Sequence, residues 1–136
     1  MTLMLSDMLN EFDTRMFFDY EGYGEQLLVL SAANPADPAD VINTMVEFHD
    51  EMLSPSATVM EIDEEFYLTA VELCNRFNGG GRWYKHFVQE TPEGKLQICI
   101  AADYIARELM SDRAFDLLMD FVQHVYDVKA YILQTE

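Results

Sequence analysis

The residues able to do chemistry are few and scattered. Three histidines, His49, His86 and His124, fall in separate predicted elements. None has a partner at the short helical spacings that bring two imidazoles onto one metal ion. No CxxC is present, and Cys74 and Cys99 each lie among apolar neighbours, which favours buried, reduced, structural thiols. No nucleophile elbow, P-loop or dinucleotide fingerprint occurs. The Gly79-Gly80-Gly81 run follows a helix and opens a strand, whereas phosphate cradles present backbone N–H groups at a helix start. It reads as a hinge. Carboxylate pairs such as Glu61 with Asp63, or Glu64 with Glu65, arise by chance in so acidic a chain, and acid–base catalysis needs two carboxyls in contrasting environments. They read as solvated faces. The expectation is a protein that is not an enzyme, with no catalytic residue, cofactor or metal.

Arg82, Trp83, Tyr84 and Lys85 are more informative. Two of the few cations flank the only tryptophan beside the glycine hinge. One reading makes these four residues a partner-binding anchor, since Trp, Tyr and Arg dominate interface energetics. The other packs Trp83 on the last helix and pairs Arg82 with a local acid.

The surrounding composition narrows the partners. With 136 residues, half of them apolar, the chain fits one globular domain spanning 1–136 with a core of its own. Its 25 acidic and 8 basic residues give a formal charge of −17, which repels phosphate backbones and anionic lipid. Neither nucleic acid nor membrane is an expected ligand. The acidic surface supports solubility or a basic partner. No apolar stretch approaches the length that spans a bilayer, and the N-terminus lacks a signal-peptide pattern, so a cytoplasmic protein is expected.

The elements that must position these residues follow from periodicity. Thr2–Phe12 has helical spacing (Leu5, Met8, Leu9, Phe12), and Arg15–Tyr20 is an aromatic cluster compatible with a strand. Glu21-Gly22-Tyr23-Gly24 reads as a turn, Glu25–Ala32 as a strand, and Asn34–Asp40 as a loop held by two prolines. Val41–Glu51 fits either a helix or a strand and is taken as a strand. Ser54-Pro55-Ser56 reads as a break before a strand at Ala57–Ile62. Asp63 is a candidate N-cap for a helix with the stripe Phe66, Ala70, Leu73 and Phe77, ended by a left-handed Gly79. Arg82–Gln89 and Lys95–Ala101 form a hairpin across Thr91-Pro92-Glu93-Gly94. Trp83, Lys85, Phe87 and Gln89 point one way; Tyr84, His86 and Val88 point the other. A long last helix carries the stripe Ala114, Leu118, Phe121, Val125, Tyr126 and Ile132. The fold class is α+β, a single antiparallel sheet with helices packed on it, in the order α-β-β-β-α-β-β-α.

The segment Val71–Asn78, followed by Arg82-Trp83-Tyr84-Lys85-His86-Phe87-Val88, resembles the YbjN family of small bacterial proteins. In that family a helix ends in an asparagine-containing segment, an Arg-Trp-x-Lys strand follows, and a long helix closes the domain. Asn75, Asn78, Arg82, Trp83 and Lys85 match, Phe87 takes the place of the family aromatic, and Asp112–Ile132 matches the closing helix. The glycine triplet departs from the bulkier residues of the pattern. The likeness covers about Val41–Ile132. It implies a fold similar to type III secretion chaperones, which are small, acidic, often dimeric proteins that bind extended segments of partners. Family members are labelled sensory transduction regulators.

The leading expectation is therefore a non-enzymatic protein-interaction module, chaperone-like or regulatory and homodimeric, with edges of Ala57–Ile62 or Glu25–Ala32 open to an added strand. Nine methionines would suit an adaptable surface, although Met45, Met52, Met110 and Met119 are expected mostly in the core. The alternative is a small-ligand sensor or enzyme with a pocket between sheet and last helix, lined by Tyr84, His86 and Tyr126. A third reading, an acidic mimic of nucleic acid, lacks an ordered carboxylate ladder.

Overall fold

The computed structural model describes residues 19–22, 27–34, 36–49, 52–79, 84–105 and 111–135. The strands are β1 (Asp19–Gly22), β2 (Leu27–Asn34), β3 (Asp37–His49), β4 (Met52–Ile62), β5 (Lys85–Glu90), β6 (Leu96–Ala101) and β7 (Tyr104–Ile105). A 3₁₀ turn at Glu64–Phe66 leads into helix α1 (Tyr67–Asn78), and helix α2 (Ser111–Thr135) closes the described chain. All strand pairs are antiparallel, in the order β1-β2-β3-β4-β6-β5, with β7 pairing the start of β4. The expected α+β class with one antiparallel sheet holds. Thr2–Phe12, Arg82, Trp83 and Met110 lie outside the described residues.

Alternation decides which face is covered. Ile42, Thr44 and Val46 of β3, Leu53, Pro55 and Ala57 of β4, and Ile98 and Ile100 of β6 are buried. They meet the stripe Ala114, Leu118, Phe121, Val125, Tyr126 and Ile132 of α2, all buried as its spacing predicts. Alanine, leucine and cysteine at Ala70, Leu73 and Cys74 seat α1 on the same core. Val41–His49 is strand, and from Val41 to Glu47 every second residue is buried, a period of two that a helix would not give.

Several local expectations are corrected. Ser54-Pro55-Ser56 does not break the chain: β4 runs through it. The Pro55 carbonyl accepts from the Ala102 N–H, so its backbone faces the gap between the end of β6 and the start of β7, where no donor is required of it. The loop at Asn34–Asp40 shrinks to a turn in which Asn34 Oδ1 accepts the Ala36 N–H, and Pro38 sits within β3 at a register irregularity. Glu21 and Gly22 belong to β1 rather than to a turn. Asp63 makes no side-chain cap, and Gly79 is right-handed at φ −66°. Among the described residues the left-handed glycine is Gly94 at φ 83°, which closes the β5–β6 turn along with Thr91.

Beyond Thr44 and Ala57, β3 and β4 no longer pair, and β4 carries a bulge between Thr58 and Met60. Tyr126 fills the resulting split. Its hydroxyl accepts the Ile42 N–H at 3.0 Å and donates to the Asp40 carbonyl at 3.1 Å. One turn along α2, Lys129 Nζ lies 2.6 Å from Asp40 Oδ1, and this hydrogen bond holds the Asp40 carboxyl below its usual range. Removing the hydroxyl in Tyr126→Phe leaves two backbone groups unpaired. The expected loss is about 1–3 kcal/mol in urea unfolding; a loss under about 0.5 kcal/mol would show that β3 does not rely on α2 here.

Candidate functional site

The candidate site is strand β5 and the two elements that grip it. β5 is an edge of the sheet, and an edge exposes backbone groups able to pair with another chain. The last residue of α1 closes that edge. Asn78 Oδ1 accepts the His86 backbone N–H at 2.7 Å, and Asn78 Nδ2 donates to the His86 carbonyl at 2.8 Å, as a neighbouring strand would. Asn78 Oδ1 also lies 2.9 Å from His86 Nδ1.

These contacts fix the tautomers. An amide oxygen only accepts, so His86 carries its proton on Nδ1. His86 Nε2, an acceptor in the neutral ring, lies 2.8 Å from His124 Nε2, which must then donate. His86 is 4% exposed. Tyr84 stacks on the His124 ring at 4.2 Å and 11°, and Phe77 lies 5.1 Å from His86. Burial pushes the Tyr104 phenol up, with Tyr84, its hydrogen-bond partner, adding to the shift. Histidines placed on unrelated elements by sequence are thus brought together.

Burial, then the neighbouring His124, depresses the His86 pKa from 6.5 to about 4. A second N–H on His86 would also confront the N–H of His124. The relay ends on an amide oxygen, which takes up no proton, so this chain of bonds ties α1, β5 and α2 together and leaves both His86 ring nitrogens engaged.

The opposite face of β5 is open. Lys85 and Phe87 are exposed, as the alternation predicts, and registers place them at the ends of two rows. One runs Glu21, Val29, Met45, Ser56, Ala101, Lys85; the other runs Asp19, Ser31, Asn43, Thr58, Cys99, Phe87, stepping between the parted strands at Asn43 and Thr58. A groove of about 540 Å³ crosses these rows and enters the split between β3 and β4. Cys99 is buried under its neighbours, and burial raises its thiol pKa, so it is a poor nucleophile.

Of the four sequence-predicted partner-binding residues, Tyr84 is half-buried against His124, and Lys85 is exposed with Nζ 3.5 Å from Asp103 Oδ2. Arg82 and Trp83 lie outside the described residues. Tyr84 and His86 converge as the pocket reading required, but Tyr126 is engaged elsewhere, at the β3–β4 split. Sequence reasoning named Asn78 only as a match to the YbjN pattern and His124 only as a scattered histidine, and gave neither a role. The first signal was an amide side chain at a helix end just before a hinge; His124 gave none beyond lying beside the apolar stripe. Of the strands offered for augmentation, Glu25–Ala32 is not an edge where it is described, since β2 pairs with both β1 and β3, whereas Ala57–Ile62 pairs with β6 on one side and, beyond Ala57, has no strand partner on the other. Met45 is on the open face, not in the core.

These features define a small α+β domain in which one helix closes a sheet edge and a second helix covers one face. No family model matches the chain, and no curated protein matches it in sequence. Among solved structures, the chain is similar to the crystal structure of YbjN from E. coli, a proposed transcription regulator, with a TM-score of 0.67 and 12% identity over 96% of this chain and 93% of that one. The YbjN-like fold expected from the helix–hinge–strand motif is therefore present. At this identity the likeness is one of fold.

Two outcomes follow. Asn78→Ala strips the His86 backbone and ring of their partner and should cost about 2–3 kcal/mol in urea unfolding, with faster hydrogen exchange at the His86 amide. An unchanged exchange rate would refute the edge closure. Between pH 6.5 and about 4 the unfolded chain binds a proton that folded His86 refuses, so stability falls as pH drops through that window. The loss attributable to His86 approaches about 3 kcal/mol at the acid end. It is read as the difference in pH slope between the natural chain and His86→Gln, and equal slopes would contradict it.

Proposed function

We propose that the protein is a non-enzymatic interaction module, regulatory or chaperone-like, that binds a segment of a partner protein across the open face of its sheet. The observation that carries this reading is electrical. The chain bears a net charge of −17, yet across β2, β3, β4 and β6 the two rows hold no charged residue; charge stands only at their ends, Glu21 and Asp19 on β1 and Lys85 on β5. On this face Val41 is 53%, Met45 43% and Phe87 39% exposed. Interface centres are depleted in charge and enriched in aromatic residues and methionine. The described helices pack on the other face, and none of them is long and apolar enough to cross a membrane. The regulator description of YbjN, similar in fold, is consistent with such a role.

The alternative, a small-ligand sensor or enzyme working between sheet and α2, has less support because the His86 ring nitrogens and the Tyr126 hydroxyl are already bonded within the protein. Its test is shared. Tagged protein is used to capture partners from its native lysate, with mass spectrometry of proteins and small molecules. Paired Met45→Asp and Phe87→Asp substitutions should lower capture of a stoichiometric partner at least about tenfold while changing stability little, since both side chains are exposed. Trp83→Ala should lower it too if Trp83 is an anchor. Undiminished capture by the paired variant would overturn the open-face reading, and a bound small molecule without a protein would favour the alternative.

A further inference from the structure

A second surface lies at the other end of the sheet. A cleft of about 1010 Å³ opens where β4 ends, α1 begins and the β5–β6 turn closes. Glu61, Asp63, Glu64, Glu65 and Glu90 line it, against a single cation, Lys95, whose Nζ is 4.0 Å from Glu61 Oε1. Acidic residues alone would be a solvated face. This cleft also has an apolar ledge, since the consecutive residues Phe66, Tyr67 and Leu68 are all exposed, Leu68 at 76%. Ile62 lines both the cleft and an adjoining pocket of about 240 Å³, whose other walls are Phe66, Thr69, Ala70, Leu73, Ile98 and Ile132. That pocket has room for one large apolar side chain.

The two cavities ask for different halves of one ligand. Carboxylates on both banks favour ammonium or guanidinium groups, and their potentials add within a concave site. The neighbouring pocket gains only from apolar burial. We propose that this end of the molecule docks a cationic amphipathic segment of a partner protein, one large aliphatic or aromatic anchor in the Ile62 pocket flanked by lysines or arginines in the cleft. The proposal rests on the interaction-module reading and deepens it by stating the chemistry of the partner.

The test is fluorescence anisotropy with a short labelled peptide of lysines around a central leucine. The intact chain should bind it. Glu64→Lys with Glu65→Lys should weaken binding by roughly 30-fold or more, and Leu68→Ser by roughly tenfold. Asp116→Lys with Asp127→Lys makes the same change of net charge at exposed positions on α2 and should leave affinity within about twofold. A lysine-only peptide should bind much more weakly than the leucine-centred one. Equal loss in the α2 variant, or equal binding of the lysine-only peptide, would overturn the proposal as diffuse attraction to an acidic chain. The Met45→Asp and Phe87→Asp variant should bind the peptide normally. If the peptide fails to bind while that variant still abolishes partner capture, the cleft proposal falls and the module reading stands; if capture is also insensitive, both fall.

Discussion

The amide side chain of Asn78 holds together what the rest of the structure needs held. A sheet of this size must end somewhere, and an open edge invites pairing with any extended chain. Here α1 ends at the edge strand, and its terminal amide takes one N–H and one carbonyl of His86. The same oxygen orients the His86 ring toward His124, so closing the edge also ties β5 to α2. A hydrophobic side chain at position 78 would have left two backbone groups unpaired at the margin of the core, and a carboxylate would have lacked the donor for the carbonyl.

At the other side of α2 the problem is different and the solution is similar. There β3 and β4 part, and the Tyr126 hydroxyl supplies the hydrogen bonds that a neighbouring strand would have made to Ile42 and Asp40. Polar side chains thus substitute for strands at these two places, and both substitutions are anchored by helices on one face. This leaves the opposite face without backbone obligations. Across β2, β3, β4 and β6 the two rows that cross it are uncharged and partly apolar, a composition the acidic remainder of the chain does not share. The division explains how β5 is both part of the scaffold and part of the proposed interface: His86 faces inward and is fully engaged, whereas Lys85 and Phe87 face outward.

Much of this architecture was legible in the chain because burial follows period. The α2 stripe is buried as its spacing predicts, His86 of β5 faces in while Lys85 and Phe87 face out, and the YbjN-like motif pointed to the observed fold. What was not legible depended on neighbours distant in sequence. Pro55 reads as a breaker until β6 and β7 are seen to leave a gap beside it. Which side of the Ala57–Ile62 segment is left without a strand depends on β6, far along the chain, pairing with the other. The His86–His124 contact spans elements with no shared local pattern, and Met45 looks like core in one dimension because nothing local says which face of β3 is covered.

The most direct measurement is the tautomeric state of the two histidines by imidazole nitrogen NMR near neutral pH. The account predicts a neutral His86 protonated on Nδ1 and a proton on His124 Nε2 shared toward His86. A neutral His86 protonated on Nε2 would contradict it, because Nδ1 could not then donate to Asn78; a ring charged at neutral pH would contradict it because Nε2 could not then accept from His124.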